Sequence, residues 1–181
     1  MRVLVDACVL YPTVLREIVM GVAKTGAFTP LWSARILEEW ARAAARLGPE
    51  GEVVARGEIA LLRARWPTSE IAPDPGLERS LSLPDPDDAH VLAAAIAGNA
   101  AALLTLNVRD FPLRALSEHG ILRRHPDEFL LEAWHADPAA VDAVVGQVHK
   151  TAEQLSGETL DLRALLKRAR VPRFAKALAN R

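Results

Sequence analysis

Asp85-Pro86-Asp87-Asp88-Ala89-His90-Val91-Leu92-Ala93-Ala94-Ala95-Ile96 and, beyond Gly98, Ala101-Ala102-Leu103-Leu104-Thr105-Leu106-Asn107-Val108-Arg109-Asp110-Phe111 decide the fold. The first run opens a helix: Asp85 suits the N-cap, Pro86 the first helical position, and acids in the first turn complement the helix dipole. The second begins as a buried strand over 101–105 and then delivers a polar cluster, Thr105, Asn107 and Asp110. Working outward, Val3-Leu4-Val5 is a short apolar run that ends at Asp6, as a central parallel strand does. Strand, helices, strand, helix and strand in succession predict a three-layer α/β/α sandwich with a mostly parallel sheet. Three separate stretches therefore place carboxylates at strand ends or helix starts, where open α/β folds build ligand sites. Acids gathered without cations repel each other, and hard oxygen donors favour Mg²⁺ or Mn²⁺ over softer metals.

The remaining chain fills in around that frame. Tyr11-Pro12-Thr13 precedes Val14, Leu15, Ile18, Val19 and Val22, which recur at helical spacing until Gly26. Ser33 can cap a helix to about residue 47 with Ile36, Leu37 and Trp40 inward, and another helix is expected over 52–66 before a short strand near Glu70-Ile71. Pro73-Asp74-Pro75-Gly76 reads as a turn ahead of an amphipathic stretch at 77–83. Helices are expected over 127–134, 138–155 and 160–169, giving a domain over 1–135 and a C-terminal helical extension over 136–181. At 181 residues, half of them hydrophobic and a quarter charged, the composition is that of a folded globular chain. No apolar run approaches a membrane span and no signal-peptide pattern follows Met1, so a cytoplasmic protein with no membrane partner is expected. Cys8 stands alone, which excludes an internal disulfide and a cysteine-rich zinc site, and it is expected to be a buried bystander.

The net charge of −1 conceals an asymmetry. Arg163, Lys167, Arg168, Arg170, Arg173, Lys176 and Arg181 form a tail with seven cations and no acid, which leaves eight net negative charges on the rest. Basic segments of this kind suit phosphates, and Arg109, Arg123, Arg124, Lys167 and Arg168 are the candidates to track a nucleic-acid backbone. The tail equally fits a solvated basic helix face. Few aromatics are present to stack bases. Glu38 and Glu39 point roughly 100° apart on their helix, so at most one faces the crevice beside Asp6. His90 is expected to face solvent. Trp32, Trp40 and Trp66 near helix ends are expected in the core.

Asp6, Ile36-Leu37-Glu38-Glu39-Trp40, Asp85-Pro86-Asp87-Asp88-Ala89-His90-Val91-Leu92-Ala93-Ala94-Ala95 and Thr105-Leu106-Asn107-Val108-Arg109-Asp110-Phe111-Pro112 together resemble the PIN-domain family of metal-dependent nucleases, over residues 1–131. That family includes the VapC-like ribonuclease toxins of type II toxin–antitoxin pairs. The resemblance implies a catalytic set of Asp6, Glu39, Asp88 and Asp110, with Glu39 chosen over Glu38 because it directly precedes the bulky Trp40. It implies that Asp6, Asp88 and Asp110 hold the metal, with Asp85, Asp87, Thr105 and Asn107 as supporting polar residues. Asp85 or Asp87 could share the role of Asp88, and Asn107 stands where some relatives carry an acid. The resemblance further implies an RNA substrate, an antitoxin partner and a homodimer. A haloacid-dehalogenase phosphatase would also place an Asp after its first strand, but Cys8 occupies the position of its second Asp. A receiver domain would also start from an acidic pocket, but its expected lysine after a later strand has no clear candidate in this chain. A PIN-like module that binds RNA or protein without cutting is the remaining alternative.

Overall fold

The computed structural model describes residues 1–180, with only the backbone of Pro49 described. Arg181, the last cation of the basic tail, lies outside the described residues. In chain order the elements are β1 (Arg2–Val5), α1 (Ala7–Leu10), α2 (Thr13–Lys24), β2 (Thr29–Ser33), α3 (Ala34–Ala45), α4 (Pro49–Arg65), β3 (Glu70–Ile71), α5 (Pro75–Ser80), a 3-10 turn at Pro86–Asp88, α6 (Ala89–Ala97) and β4 (Ala102–Leu104). They are followed by α7 (Leu113–Ser117), β5 (Leu122–Arg124), α8 (Pro126–Ala136), α9 (Pro138–Ser156), α10 (Leu162–Arg168) and α11 (Pro172–Ala179). Two compact units interleave along the chain: Met1–Tyr11 with Thr29–Arg124, and Pro12–Phe28 with His125–Arg181.

The first unit is built on a parallel five-stranded sheet of order β3-β2-β1-β4-β5, with helices on both sides. β1 lies between β2 and β4, with Leu4 opposite Leu31 on one side and Leu103 on the other. Val3, Leu4 and Val5 are fully buried, as are Leu103 and Leu104, which explains why both strands read as unbroken apolar runs. Strand order runs outward from β1 through β2 to β3, then returns to β4 on the other flank. The strand order reverses between β1 and β4, and the carboxyl ends of the strands at such a reversal are where open α/β sheets place their sites.

Several elements differ from the sequence expectation for identifiable reasons. β2, Thr29-Pro30-Leu31-Trp32-Ser33, was hidden by its proline. Thr29 N–H donates to Met1 on the β1 side and Trp32 N–H donates to Ser69 on the β3 side. Alternation puts Pro30 on the β3 side as well, but β3 pairs only with Trp32 and Ser33, so no ladder donor is missed at residue 30. β5, with Arg123 and Arg124 in a three-residue edge strand, carries no apolar pattern. α1, α7 and α11 are too short for periodicity to register. The turn expected at Pro73-Asp74-Pro75-Gly76 is the start of α5, capped by Asp74. Ser33 caps α3 as expected, its hydroxyl accepting from Ile36 N–H at 3.2 Å. Trp32 and Trp40 are core residues, and Trp32 meets the Trp66 ring edge-on at 6.3 Å.

The second unit packs α2 against α8, α9 and α10. Gly21 permits the close approach of α2 to α9, since a Cβ there would run into the side chain of Val144. Phe28 meets Phe129 edge-on at 5.1 Å. α11 has no side-chain cap from its own N-cap residue, Val171. Asp127 on α8 supplies one from a distance: its two oxygens accept from Arg173 N–H at 3.0 Å and Phe174 N–H at 2.9 Å. Asp127 is buried, and its loss would strand two helix-terminal donors. Asp127→Ala should lower stability by about 1–3 kcal/mol in urea unfolding, with Asp127→Asn falling between it and the native protein; an unchanged midpoint would refute the capping role.

Candidate active site

Asp6 follows β1 directly and starts α1, yet its side chain makes no cap to that helix. Its backbone N–H continues the ladder to Leu104, and the carboxylate turns sideways toward the end of β4. Thr105, fully buried, donates its hydroxyl to Asp6 Oδ2 at 2.7 Å and accepts from Asn107 N–H at 2.9 Å. One hydroxyl thus fixes both the Asp6 carboxylate and the turn that carries Asn107. Asn107 reaches on to Asp88, its amide donating to Oδ2 at 3.3 Å.

Cys8 is not the bystander expected. Its thiol donates to Asp6 Oδ2 at 3.0 Å and its sulfur accepts from Leu106 N–H at 3.2 Å. Burial, reinforced by the Asp6 charge, pushes the thiol up to about 12, so at neutral pH it is a protonated donor and not a nucleophile.

Asp85, Asp88 and Asp110 bring carboxylate oxygens within 4.8 Å of one another. The 3-10 turn supplies the first two: Asp85 caps it by accepting from Asp87 N–H, and Asp88 closes it. Burial, followed by the negative charges of Asp6, Asp85 and Asp110, raises the Asp88 carboxyl to about 6. Close hard oxygen donors whose negative charges oppose the ionisation of Asp88 are the donor set a divalent cation satisfies, so these residues fit such an ion. The tight trio contains Asp85 in place of Asp6, which acts on Asp88 through its charge. Asp87 is exposed and stands outside the trio.

The two helix glutamates part company. Glu38 pairs with Arg56 of α4 and with Arg42 one turn on along α3, and these hold its carboxyl below the usual range. Glu39 instead meets His90, with Nε2 2.8 Å from Oε1. His90 is buried, against the expectation of a solvent-facing ring, because α6 is apolar all round and residues 89–95 are enclosed. Arg35, one turn before Glu39, lies 3.7 Å from it, pairs with Glu78 at 2.9 Å and donates to the Asp87 carbonyl at 3.3 Å. Arg35 was readable only as an i, i+4 partner of Glu39, and nothing in the sequence marks its reach to α5 and the acidic turn.

The candidate phosphate-tracking residues are divided between the units. Arg123 donates to the carbonyls of Val108 and Phe111 at 2.7 and 2.8 Å, which pins the loop holding Asp110 and commits this guanidinium to structure. Arg109 is exposed on the same loop, and Arg124 is half-buried on β5. Lys167 and Arg168 are exposed on α10 in the second unit, and Arg173 of the basic tail pairs with Glu128.

A PIN domain model matches residues 2–109, more than half of the chain, and the chain belongs to the PIN-domain family. A stretch of 58 residues is 41% identical to a protein of Mycobacterium tuberculosis (strain ATCC 25618 / H37Rv) whose name reads "Putative ribonuclease VapC50". That stretch covers 32% of this chain and 34% of the relative, so the chain matches about a third of the relative's length. No solved structure matches. No helix among the described residues is long and apolar enough to cross a membrane.

The raised Asp88 carboxyl has a consequence for stability. The folded protein holds this proton to about pH 6, whereas the unfolded chain releases it near 3.8. Stability from this group is therefore complete below the unfolded value and falls as pH rises toward 6. In EDTA, Asp88→Asn should melt higher than the native protein at pH 7.5, with the gap closing below pH 4. A lower melting temperature at pH 7.5 would contradict the repulsion.

Proposed function

We propose that this protein is a metal-dependent endoribonuclease that hydrolyses RNA phosphodiester bonds, and that it is the toxin of a toxin–antitoxin pair. The observation that carries the reading is the trio Asp85, Asp88 and Asp110, with Asp6 against it, at the carboxyl ends of β1 and β4 in a PIN-family chain. The partial likeness to a protein named as a ribonuclease supports the choice of RNA. A cytoplasmic location and an antitoxin that is a separate polypeptide belong to the same reading.

Asp85, Asp88 and Asp110 would hold Mg²⁺ or Mn²⁺, with Asp6 contributing negative charge and a ligand oxygen. A divalent ion bound there activates water and stabilises the leaving oxygen of an in-line displacement. Thr105 and Cys8 keep Asp6 aimed by donating to Oδ2. Asn107 orients Asp88 without adding charge. Glu39, anchored at Oε1, orients the attacking water. Arg109 is the exposed cation nearest in sequence to Asp110 and would meet a phosphate.

Purified protein incubated with a mixed RNA pool should cut in Mg²⁺ or Mn²⁺ and not in EDTA, with Asp6→Asn and Asp88→Asn each losing at least about a hundredfold in rate. Metal-dependent cutting that survives both substitutions would refute the site. No cutting by the native protein would favour a binding module.

A homodimer is part of the same reading. Trp32 and Trp40 are enclosed in the core, so self-association would use other apolar surface, of which exposed Val53, Val54 and Leu61 on α4 are the largest group on one helix. Light scattering should give a dimer that Leu61→Glu weakens; a monomer at all concentrations would contradict it.

A further inference from the structure

The Glu39–His90 contact joins a half-exposed acid to a buried ring. Glu39 is 37% exposed, and a glutamate on a helix surface ordinarily samples several rotamers. His90 is 3% exposed and is enclosed in the apolar start of α6 between Ala89 and Val91, so its ring cannot follow a moving partner. Its other nitrogen, Nδ1, is buried and has no hydrogen-bond partner. At 2.8 Å from Oε1, Nε2 is the ring nitrogen that faces the carboxylate, and its N–H is the donor of the contact.

Arg35 approaches the same oxygen, Oε1, from one turn earlier on α3, at 3.7 Å. Both contacts are made to Oε1. Arg35 also holds the Asp87 carbonyl, and His90 lies two residues beyond Asp88, so both anchors of Glu39 are tied to the segment that carries the acidic trio.

We propose that His90 is the positioning residue for Glu39: its Nε2–H fixes the α3 carboxylate relative to the N-terminal turn of α6 and its acids. The role in turnover rests on the nuclease reading, whereas the fixed contact itself does not.

The experiment uses the full chain in four forms, His90→Ala, His90→Gln, Glu39→Ala and the double variant with both alanines, together with Glu39→Gln for spectroscopy. In Mn²⁺-dependent RNA cleavage, His90→Ala should lower kcat about tenfold or more with KM for RNA little changed. His90→Gln, which can place an amide donor near Nε2, should recover much of the loss. Adding His90→Ala to Glu39→Ala should cost nothing further, because the carboxylate it positions is already gone.

Nitrogen-15 histidine spectra provide the readout that needs no turnover: His90 should carry a proton on Nε2, and Glu39→Gln should shift its Nε2 signal. Full kcat in His90→Ala, an undiminished extra loss in the double variant, or a His90 signal indifferent to Glu39 would each overturn the proposal. If the native protein cuts no RNA, the nuclease reading fails while a Glu39-dependent Nε2 signal still upholds the fixed contact. If His90→Ala does not fold, the glutamine variant and the native spectra decide the matter.

Discussion

Negative charge crowded onto Asp88 is the constraint around which the first unit is arranged. Partial burial disfavours its charged form most, and Asp6, Asp85 and Asp110 all add to that effect, so its carboxyl ionises only near pH 6. A fold that needed only a helix cap would have no reason to tolerate this, since Asp85 already caps the 3-10 turn. The surrounding polar groups are donors matched to these acids: Thr105 and Cys8 on Asp6, Asn107 on Asp88, His90 and Arg35 on Glu39. Each limits rotation of a carboxylate while leaving oxygen lone pairs for a cation, which is how a preorganised metal site differs from a neutralised ion-pair network.

The scaffold supplies the geometry at low cost. β1 and β4 are adjacent and parallel, and Val3–Val5 and Ala102–Leu104 are buried, so the residues that follow them, Asp6 and Thr105, are delivered to one place with little freedom. The strand order reverses at this pair, the position at which open α/β sheets place their sites. Arg123 then anchors the loop beyond β4 through two carbonyls, which places Asp110 on a fixed segment even though the loop has no regular structure.

Much of this was legible in the sequence because its signals are local. The apolar runs of β1 and β4, the Ser33 cap and the Asp85-Pro86 helix start depend on neighbours within a few residues. What was not legible depends on distant partners. Pro30 sits in a strand because β3 stops short of it, a fact no window around residue 30 contains. Glu38 and Glu39 are indistinguishable by type, and Arg56 and His90 separate them from 18 and 51 residues away. His90 was expected outside because its polarity outweighed the uniformly apolar residues after it, yet those residues bury it. The two units interleave for the same reason: α2 belongs by packing with the C-terminal helices, although the chain places it between β1 and β2.

Calorimetric titration of Mn²⁺ into metal-free protein, at pH 6 and pH 8 and in two buffers of different ionisation enthalpy, counts the protons displaced on binding. With the Asp88 carboxyl near 6, binding at pH 6 should release about half a proton and binding at pH 8 almost none. Absence of binding at both pH values, or binding at pH 6 with no proton released, would contradict a cation site built on that carboxylate.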